Sequence, residues 1–482
     1  MPTLRLARQP RLAAAVLVAL LLAPSAAPAQ QATDIAIPRI AVERYTLPNG
    51  LTVLLSEDRS APVVAVDVWY HVGSKNEKPG RTGFAHLFEH VMFQGSEHVG
   101  DDQHLKIIEE AGGNINGSTN TDRTNYYDVV PSNELETALW LEADRMGWLL
   151  PVLSQQKLDN QRDVVKNERR QRYENPPFGI EPEVTMANIY PSGHPYSWTT
   201  IGSMADLSAA SLDDVKDFFR TYYAPNNATL AIVGDFDQAK AKAWVEKYFG
   251  AIPRGRNINR PSVPGSRLGA NKRIVLEDAK ARQPQMTFAW PTVGQDHPDA
   301  LALQGLAAVL TRDRTSRLRK LLVFDRQLAT NVTAYAGSDE NAGEFYIYVT
   351  PRPNVSLTQI ETLVDSVVAS VVGAPPTERE AARTKTYAIV GAITGLQSVL
   401  NKAEVLLEGQ VFFDDPQRFT KELEDYRALT SSDVHRVAQK YLAGGHLVLS
   451  MVPAGKLDMI ARPELPYTNV TPAAAPAASP TR

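Results

Sequence analysis

Apolar and polar positions alternate in a way that predicts strands and helices along the whole chain. Asn49-Gly50 separates two short apolar runs within 45–55, which predicts a hairpin. Runs of valine, isoleucine and aromatic residues predict further strands at 61–72, 124–130 and 228–234. Helical spacing of apolar residues predicts helices at 84–93, 103–111, 132–150, 154–173 and after Ser211.

The same order of elements starts again after residue 272. Residues 274–278 resemble 54–58, and 285–290 resemble the strand at 63–70. The strand at 344–351 and the helix and strand within 432–452 repeat later elements of the first half. A repeat of this length predicts two homologous domains. Strands joined by hairpins, together with helices, predict an α+β fold in which each domain is an antiparallel-rich sheet with helices packed on one face.

Composition and the two chain ends set the domain limits. Three arginines precede an apolar run at 12–23 and small residues at 27–29, which predicts a signal peptide at 1–29, with an uncleaved anchor as the alternative. We then predict an N-terminal peptidase domain at 30–252, a polar linker at 253–272, a C-terminal homologous domain without a metal site at 273–467, and a disordered tail at 468–482.

Export also agrees with the composition, which is 43% hydrophobic and 22% charged and contains no cysteine. A chain that is stable without disulfides suits a bacterial periplasmic or secreted enzyme, with no membrane span after signal cleavage. A net charge of −4 gives no basic surface for nucleic acid.

The segment 84–93 is apolar on almost every side but contains His86, Glu89 and His90. In a helix, His86 and His90 lie one turn apart on one face, with Glu89 beside the second imidazole. A divalent cation would satisfy all three groups in an apolar environment. Imidazole and carboxylate ligands favour zinc, one ion per chain, and the order His-x-x-Glu-His is a known zinc-peptidase signature. Two histidines that only pack in the core are the alternative.

A catalytic zinc needs a third protein ligand, and the helix at 154–173 offers Glu168. Glu168 shares a stripe with Gln161, Val164 and Val165 at helical spacing, which predicts that this stripe faces inward. A Glu168 that is exposed, or that pairs with Arg169, Arg170 or Arg172, is equally compatible with the spacing.

Several motifs occur together with this pattern. They are His86-x-x-Glu89-His90, Glu168 at 78 residues beyond His90, Asn175-Pro176-Pro177, His194-Pro195-Tyr196 and Ile201-Gly202. With the duplicated halves, they resemble the pitrilysin/insulinase-type zinc metallopeptidases, in particular the short branch that includes bacterial peptidases and mitochondrial processing peptidase.

The resemblance implies roles for particular residues. His86, His90 and Glu168 would bind zinc, Glu89 would be the general base, and the two domains would face each other as a clamshell. A peptide substrate would pair with a sheet edge at Asn116, Gly117 and Ser118, although Asn116-Gly117 alone is also typical of a plain turn.

The chain departs from the family pattern in two places. Gln161 replaces a glutamate two turns before the third ligand. A glutamine can orient a water molecule or a ligand by a hydrogen bond, but it cannot take a proton. In the second half, Thr330 stands where many relatives have a tyrosine, and the accompanying arginine is shifted to Arg326. We therefore predict a homodimer or a heterodimer, the latter with a zinc-free paralogue that completes the site.

The sequence thus predicts an exported zinc-dependent endopeptidase. The alternatives are a catalytically weak or silent subunit of a heteromeric peptidase, and a protein that only binds metal or peptide. His71, His98 and His104 are interpreted as ordinary surface or packing residues, and a hydrogen bond to the metal ligands is the alternative.

Overall fold

The computed structural model describes residues 35–261 and 263–471. The predicted signal peptide at 1–29 and residues 472–482 of the predicted tail lie outside the described residues. In the described residues, no single helix is long and apolar enough to cross a membrane, and one pair of helices meets that test only when joined across a 100° bend.

The strands are β1 (Glu43–Thr46), β2 (Thr52–Glu57), β3 (Val63–Tyr70), β4 (Asn114–Thr119), β5 (Thr124–Pro131), β6 (Ala228–Gly234), β7 (Lys272–Asp278), β8 (Gln285–Val293), β9 (Ala329–Ser338), β10 (Ala342–Pro351), β11 (Leu447–Pro453) and β12 (Thr468–Val470).

The helices are α1 (Phe84–Val91), α2 (Gln103–Glu110), α3 (Leu135–Trp148), α4 (Gln155–Arg169), α5 (Glu181–Ile189), α6 (Met204–Ala209), α7 (Leu212–Tyr222), α8 (Gln238–Phe249), α9 (Ala300–Thr311), α10 (Arg317–Arg319), α11 (Leu357–Gly373), α12 (Glu378–Gly395), α13 (Val399–Phe413), α14 (Arg418–Ala428) and α15 (Ser431–Val437).

The strands form two six-stranded sheets with the same plan. The first has the order β1-β2-β6-β3-β5-β4, and the second has the order β12-β7-β11-β8-β10-β9. In each sheet one inner pair is parallel, β2 with β6 and β7 with β11, while the strands that follow toward the far edge are antiparallel. The predicted α+β fold with two homologous domains is confirmed, and the predicted hairpin at 45–55 is β1 and β2.

The sheets differ at one edge, and there the prediction of a disordered tail from residue 468 is wrong. Thr468–Val470 form β12, which pairs in parallel with β7. Without this strand, β7 would expose its main-chain polar groups at the edge of the sheet. Val470 also packs against apolar residues on one face of that sheet, so three residues suffice for an edge strand.

Each sheet packs against helices of its own domain on one face and against the other domain on the opposite face. In the first sheet, Leu54 and Trp69 pack against Leu406 and Leu407 of α13. In the second sheet, Leu276 packs in one apolar cluster with residues of α5. The prediction of helices on one face therefore holds for each domain's own helices, while the opposite face joins the two domains through exchanged elements.

Two partly buried ion pairs between the domains predict a loss of stability in acid. Lys402 lowers the pKa of Asp58 from 3.8 to about 2. Burial alone would raise the pKa of Glu340, but His71 and Lys75 lower it from 4.5 to about 2. A carboxyl group with a lowered pKa stabilises the fold above its unfolded value and loses that effect as the pH falls toward the folded value.

We therefore expect the urea midpoint of unfolding to fall as the pH decreases from about 4.5 to about 2. A double variant, Asp58→Asn with Glu340→Gln, should lose less of its midpoint over this range than the wild type. Equal losses would show that these two carboxylates do not carry the effect.

Candidate metal centre

Helix α1, which carries both histidines, is fixed at its first turn. Gly83 precedes the helix with a φ of 87°, a conformation that favours glycine, and a Cβ atom there would lie 2.7 Å from the Ile201 carbonyl oxygen. The buried carboxyl group of Glu77 accepts hydrogen bonds from the Gly83 and Ala85 N–H groups at 3.0 and 2.8 Å. Burial raises the pKa of Glu77 to about 8, although these bonds favour its ionised form. The conformation of Gly83 and the two hydrogen bonds to Glu77 thus fix the start of α1.

His86 and His90 lie on one face of α1, as their spacing predicts. Their ring centroids are 4.8 Å apart and the ring planes meet at 85°. Burial lowers the pKa of His86 to about 4, so this imidazole is neutral near pH 7 and able to bind a metal ion. Its Nδ1 atom is buried without a hydrogen-bond partner in the described part of the chain, whereas Nε2 points to the third residue of the site.

Helix α4 brings Glu168 to the two histidines. Glu168 Oε2 lies 3.2 Å from His90 Nε2 and 3.6 Å from His86 Nε2. The other carboxylate oxygen, Oε1, lies 2.9 Å from Arg172 Nη1. The hydrogen bond from His90 lowers the pKa of Glu168, and the positive charge of Arg172 acts in the same direction. Glu168 therefore faces the two histidines and also pairs with an arginine, as the two sequence-based interpretations predict, because each contact uses a different oxygen of the carboxylate.

The inward stripe predicted on α4 is wrong for one residue. Gln161 and Val165 are buried, but Val164 is 40% exposed. At about 3.6 residues per turn, Gln161, Val165 and Arg169 centre on the buried side, Glu168 lies at its rim, and Val164 lies beyond the rim. The role of Gln161 as a support for the ligands stays a prediction.

The donor atoms suit zinc. Two imidazole nitrogens and one carboxylate oxygen match the donor set of known catalytic zinc sites, in which one position is left for water. Atoms that bind one tetrahedral ion at about 2.0–2.1 Å lie about 3.4 Å from each other. The observed separations of 3.2 and 3.6 Å are close to this value, and the three donor atoms all lie within 4.8 Å of one another.

Glu89 lies beside this group and is held by strand β4. Thr119 Oγ1 donates a hydrogen bond of 2.6 Å to Glu89 Oε2. At Gly117 a Cβ atom would lie 3.3 Å from Glu89 Cγ, so the strand passes close to this side chain. Burial raises the pKa of Glu89. The hydrogen bond from Thr119 engages one oxygen and leaves the other for a reacting group.

Asn116, Gly117 and Ser118 belong to strand β4, so the interpretation of Asn116-Gly117 as a plain turn is wrong. β4 is the outer strand of its sheet and pairs only with β5 among the described residues. In the second sheet, the equivalent outer strand β9 is partly covered, because Thr311 accepts a hydrogen bond from the Ala334 N–H group at 2.7 Å. The free edge of β4 is therefore the better position for an added strand.

The other histidines lie elsewhere. His71 Nε2 lies 2.6 Å from a carboxylate oxygen of Glu340, and His98 Nδ1 lies 2.6 Å from one of Asp144. His104 is fully buried. In the described residues, none of the three joins the group of His86, His90 and Glu168.

The second-half departures are at the surface. Arg326 is exposed, and Thr330 is exposed at the start of β9, where its hydroxyl donates to the Thr350 carbonyl oxygen at 3.1 Å. Sequence reasoning places Thr119 only at the end of the predicted substrate-binding stretch and does not predict its hydrogen bond to Glu89 or the role of Glu77, because a hydroxyl in a strand and an acid before a helix are both common.

Comparison with known proteins agrees with this geometry. Residues 52–190 match the family described as insulinase (peptidase family M16), and residues 209–387 match the peptidase M16 inactive domain. The zinc protease PqqE of Helicobacter pylori is 29% identical over 407 residues, which cover 83% of this chain and 90% of the relative.

The chain is also similar to a plant protein and to a solved bacterial structure. A probable mitochondrial-processing peptidase subunit beta of Arabidopsis thaliana is 26% identical over 326 residues, which cover 64% of this chain and 59% of that protein. The crystal structure of a protease from Helicobacter pylori matches with a TM-score of 0.81 and 27% identity, over 86% of this chain and 100% of that one.

Proposed function

The chain belongs to the insulinase family of peptidases, family M16, and from this membership we propose that it is a zinc-dependent endopeptidase that hydrolyses peptides or unfolded polypeptides. The observation that carries the proposal is the convergence of His86 Nε2, His90 Nε2 and a Glu168 oxygen, with Glu89 beside them. Two domains that face each other would close around the substrate.

The residues of the site have distinct tasks. A zinc ion bound by His86, His90 and Glu168 would act as a Lewis acid and lower the pKa of a water molecule in the remaining position. Glu89 would accept a proton from the attacking water molecule as the oxygen of that water bonds to the peptide carbonyl carbon. Glu89 then gives the proton to the leaving nitrogen as the carbon–nitrogen bond breaks. Thr119 keeps the carboxylate of Glu89 in one orientation through this cycle.

We assign substrate binding to the free edge of β4. An extended peptide would pair with the main chain at Asn116, Gly117 and Ser118 and pass directly beside Glu89. Main-chain pairing depends little on the side chains of the bound peptide, so this mode of binding suits a peptidase of broad specificity. The small residue at 117 lets the strand and the bound peptide come close to the base.

The cellular setting is also part of the proposal. The signal peptide predicted at 1–29 supports export to the periplasm or the medium of a bacterium. Thr330 and the shifted Arg326 favour a heterodimer, in which a zinc-free paralogue supplies the groups that stabilise the developing oxyanion. Full turnover by the isolated chain, with no gain from a paralogue, would argue for a homodimer or monomer instead.

The specific alternative is a catalytically weak or silent subunit, which Gln161 and Thr330 favour. Turnover of an unfolded polypeptide by the mature chain, alone and with a paralogue, separates the two functions. We expect a chelator to stop turnover and about one equivalent of zinc, but not magnesium, to restore it. Turnover that survives complete removal of zinc would contradict the proposal.

A further inference from the structure

Two equivalent turns of the duplicated fold meet where the domains touch. Residues 120–123 connect β4 to β5 in the first sheet, and residues 339–341 connect β9 to β10 in the second. The sheet orders place these hairpins at the same outer position in each domain. The metal-free domain therefore contacts the hairpin that carries the open edge strand of the metal-binding domain.

The contact is made by buried charged groups. The Glu340 N–H group donates to Asp122 Oδ2 at 2.7 Å, which joins one turn directly to the other. Lys75 Nζ lies 2.8 Å from Asp122 Oδ1 and also pairs with the Glu340 carboxylate. The side chains of Lys75 and Asp122 are only 7% and 5% exposed, and that of Glu340 is 23% exposed. We name Lys75, Asp122 and Glu340 the interdomain clamp.

Further hydrogen bonds surround the clamp on both sides. The Tyr196 hydroxyl donates to Asp122 Oδ1 at 2.7 Å and accepts a hydrogen bond from the Asn341 N–H group at 3.1 Å. The N–H groups of Ser74 and Lys75 donate to the main-chain oxygens of residues 120 and 121 at 3.2 and 3.0 Å. The tip of the β4–β5 hairpin is thus bonded to its own domain and to the second domain at once.

The clamped hairpin also holds Glu89. Thr119 is the last residue of β4, directly before the turn, and it pairs with Thr124 at the start of β5. Its hydroxyl makes the 2.6 Å hydrogen bond to Glu89. An outer strand with one neighbour opens more easily than a central strand, so β4 needs restraint at its free end. The clamp supplies that restraint three residues from Thr119.

We propose that the metal-free domain positions the general base of the other domain. The interdomain clamp fixes the β4–β5 hairpin, and Thr119 at the end of that hairpin acts as a positioning residue for Glu89. The restraint of the hairpin is inferred from the contacts alone, whereas its effect on turnover also rests on the proposed function. The second domain thereby has a task, although no group of possible metal ligands lies among its described residues.

Hydrogen exchange of the zinc-free full-length chain tests the restraint. Glu340→Gln removes one of the two carboxylates that Lys75 pairs with, the one in the second domain, and we expect amide exchange across residues 117–124 to become about tenfold faster. Glu380→Gln is the matched control, because it breaks the half-buried pair with Arg317 inside the second domain. Tyr196→Phe removes a neutral member of the contact and should act in the same direction as Glu340→Gln. Unchanged exchange in both Glu340→Gln and Tyr196→Phe overturns the inference.

Kinetics of the zinc-loaded chain test the positioning. Thr119→Val keeps the shape of the side chain and removes the hydroxyl, so we expect kcat to fall about tenfold with KM within about twofold and zinc content unchanged. Glu340→Gln should lower kcat in the same way. An unaltered kcat in Thr119→Val contradicts the positioning role. Absence of turnover in the wild type would contradict the proposed function, whereas the exchange rates would still decide whether the clamp exists.

Discussion

Replacing Glu89 with glutamine is expected to lower peptide turnover by at least about a thousandfold while zinc binding stays intact. Glutamine has nearly the same size and can still accept the hydrogen bond from Thr119, but it cannot take a proton. Glu89 is not a member of the donor group of His86, His90 and Glu168. The change therefore removes the base and leaves the metal site in place.

The measurements for Glu89→Gln are kcat with an unfolded polypeptide and zinc content by atomic absorption. Glu97→Gln is the matched control, since Glu97 is exposed and lies shortly after α1. Because burial raises the pKa of Glu89, a neutral side chain suits this environment and the variant should fold normally. Turnover within about tenfold of the wild type would exclude Glu89 as the base.

Replacing Glu168 with alanine is expected to lower the affinity for zinc by at least about a hundredfold, because even residues that only support a ligand contribute about ten- to a hundredfold. Turnover should be lost with the metal. The wild-type chain should gain about 2.7 kcal/mol of stability at a zinc concentration one hundred times the dissociation constant, and the variant should gain far less at the same concentration.

Two controls separate the two contacts of Glu168. Asp163→Ala removes an exposed carboxylate from the same helix and should leave zinc affinity unchanged. Arg172→Ala removes the partner of the other Glu168 oxygen, and its side chain is 71% exposed, so its effect on zinc should be small. An unchanged zinc affinity in Glu168→Ala would show that the ion pair with Arg172, and not a metal, explains the position of Glu168.

The local part of the site could be predicted from the sequence. His86, Glu89 and His90 lie within one helical turn and a half, so the periodicity of a single helix fixes their arrangement. Glu168 is different, because spacing shows that it lies near the apolar side of α4 but not which element that side meets. The resemblance to the family supplied this link, and the 3.2 Å separation from His90 agrees with it.

Errors arose where the outcome depends on distant parts of the chain. The spacing predicts an inward Val164, because it identifies a stripe on the helix but not the centre of the buried side, and Val164 is in fact exposed. The tail at 468–470 is polar, and its pairing with β7 depends on an edge that is only formed in the folded sheet. The sequence does not predict the packing of α13 and α5 on the other domain's sheet. Apolar residues on both faces of a strand show that both faces are buried, but not which element covers each face.

Diffraction from a crystal of the zinc-soaked chain, measured at the zinc absorption edge, locates the metal directly. We expect one anomalous peak at about 2.0–2.2 Å from His86 Nε2, His90 Nε2 and a Glu168 oxygen. A peak at any other position, or no peak at saturating zinc, would contradict this expectation.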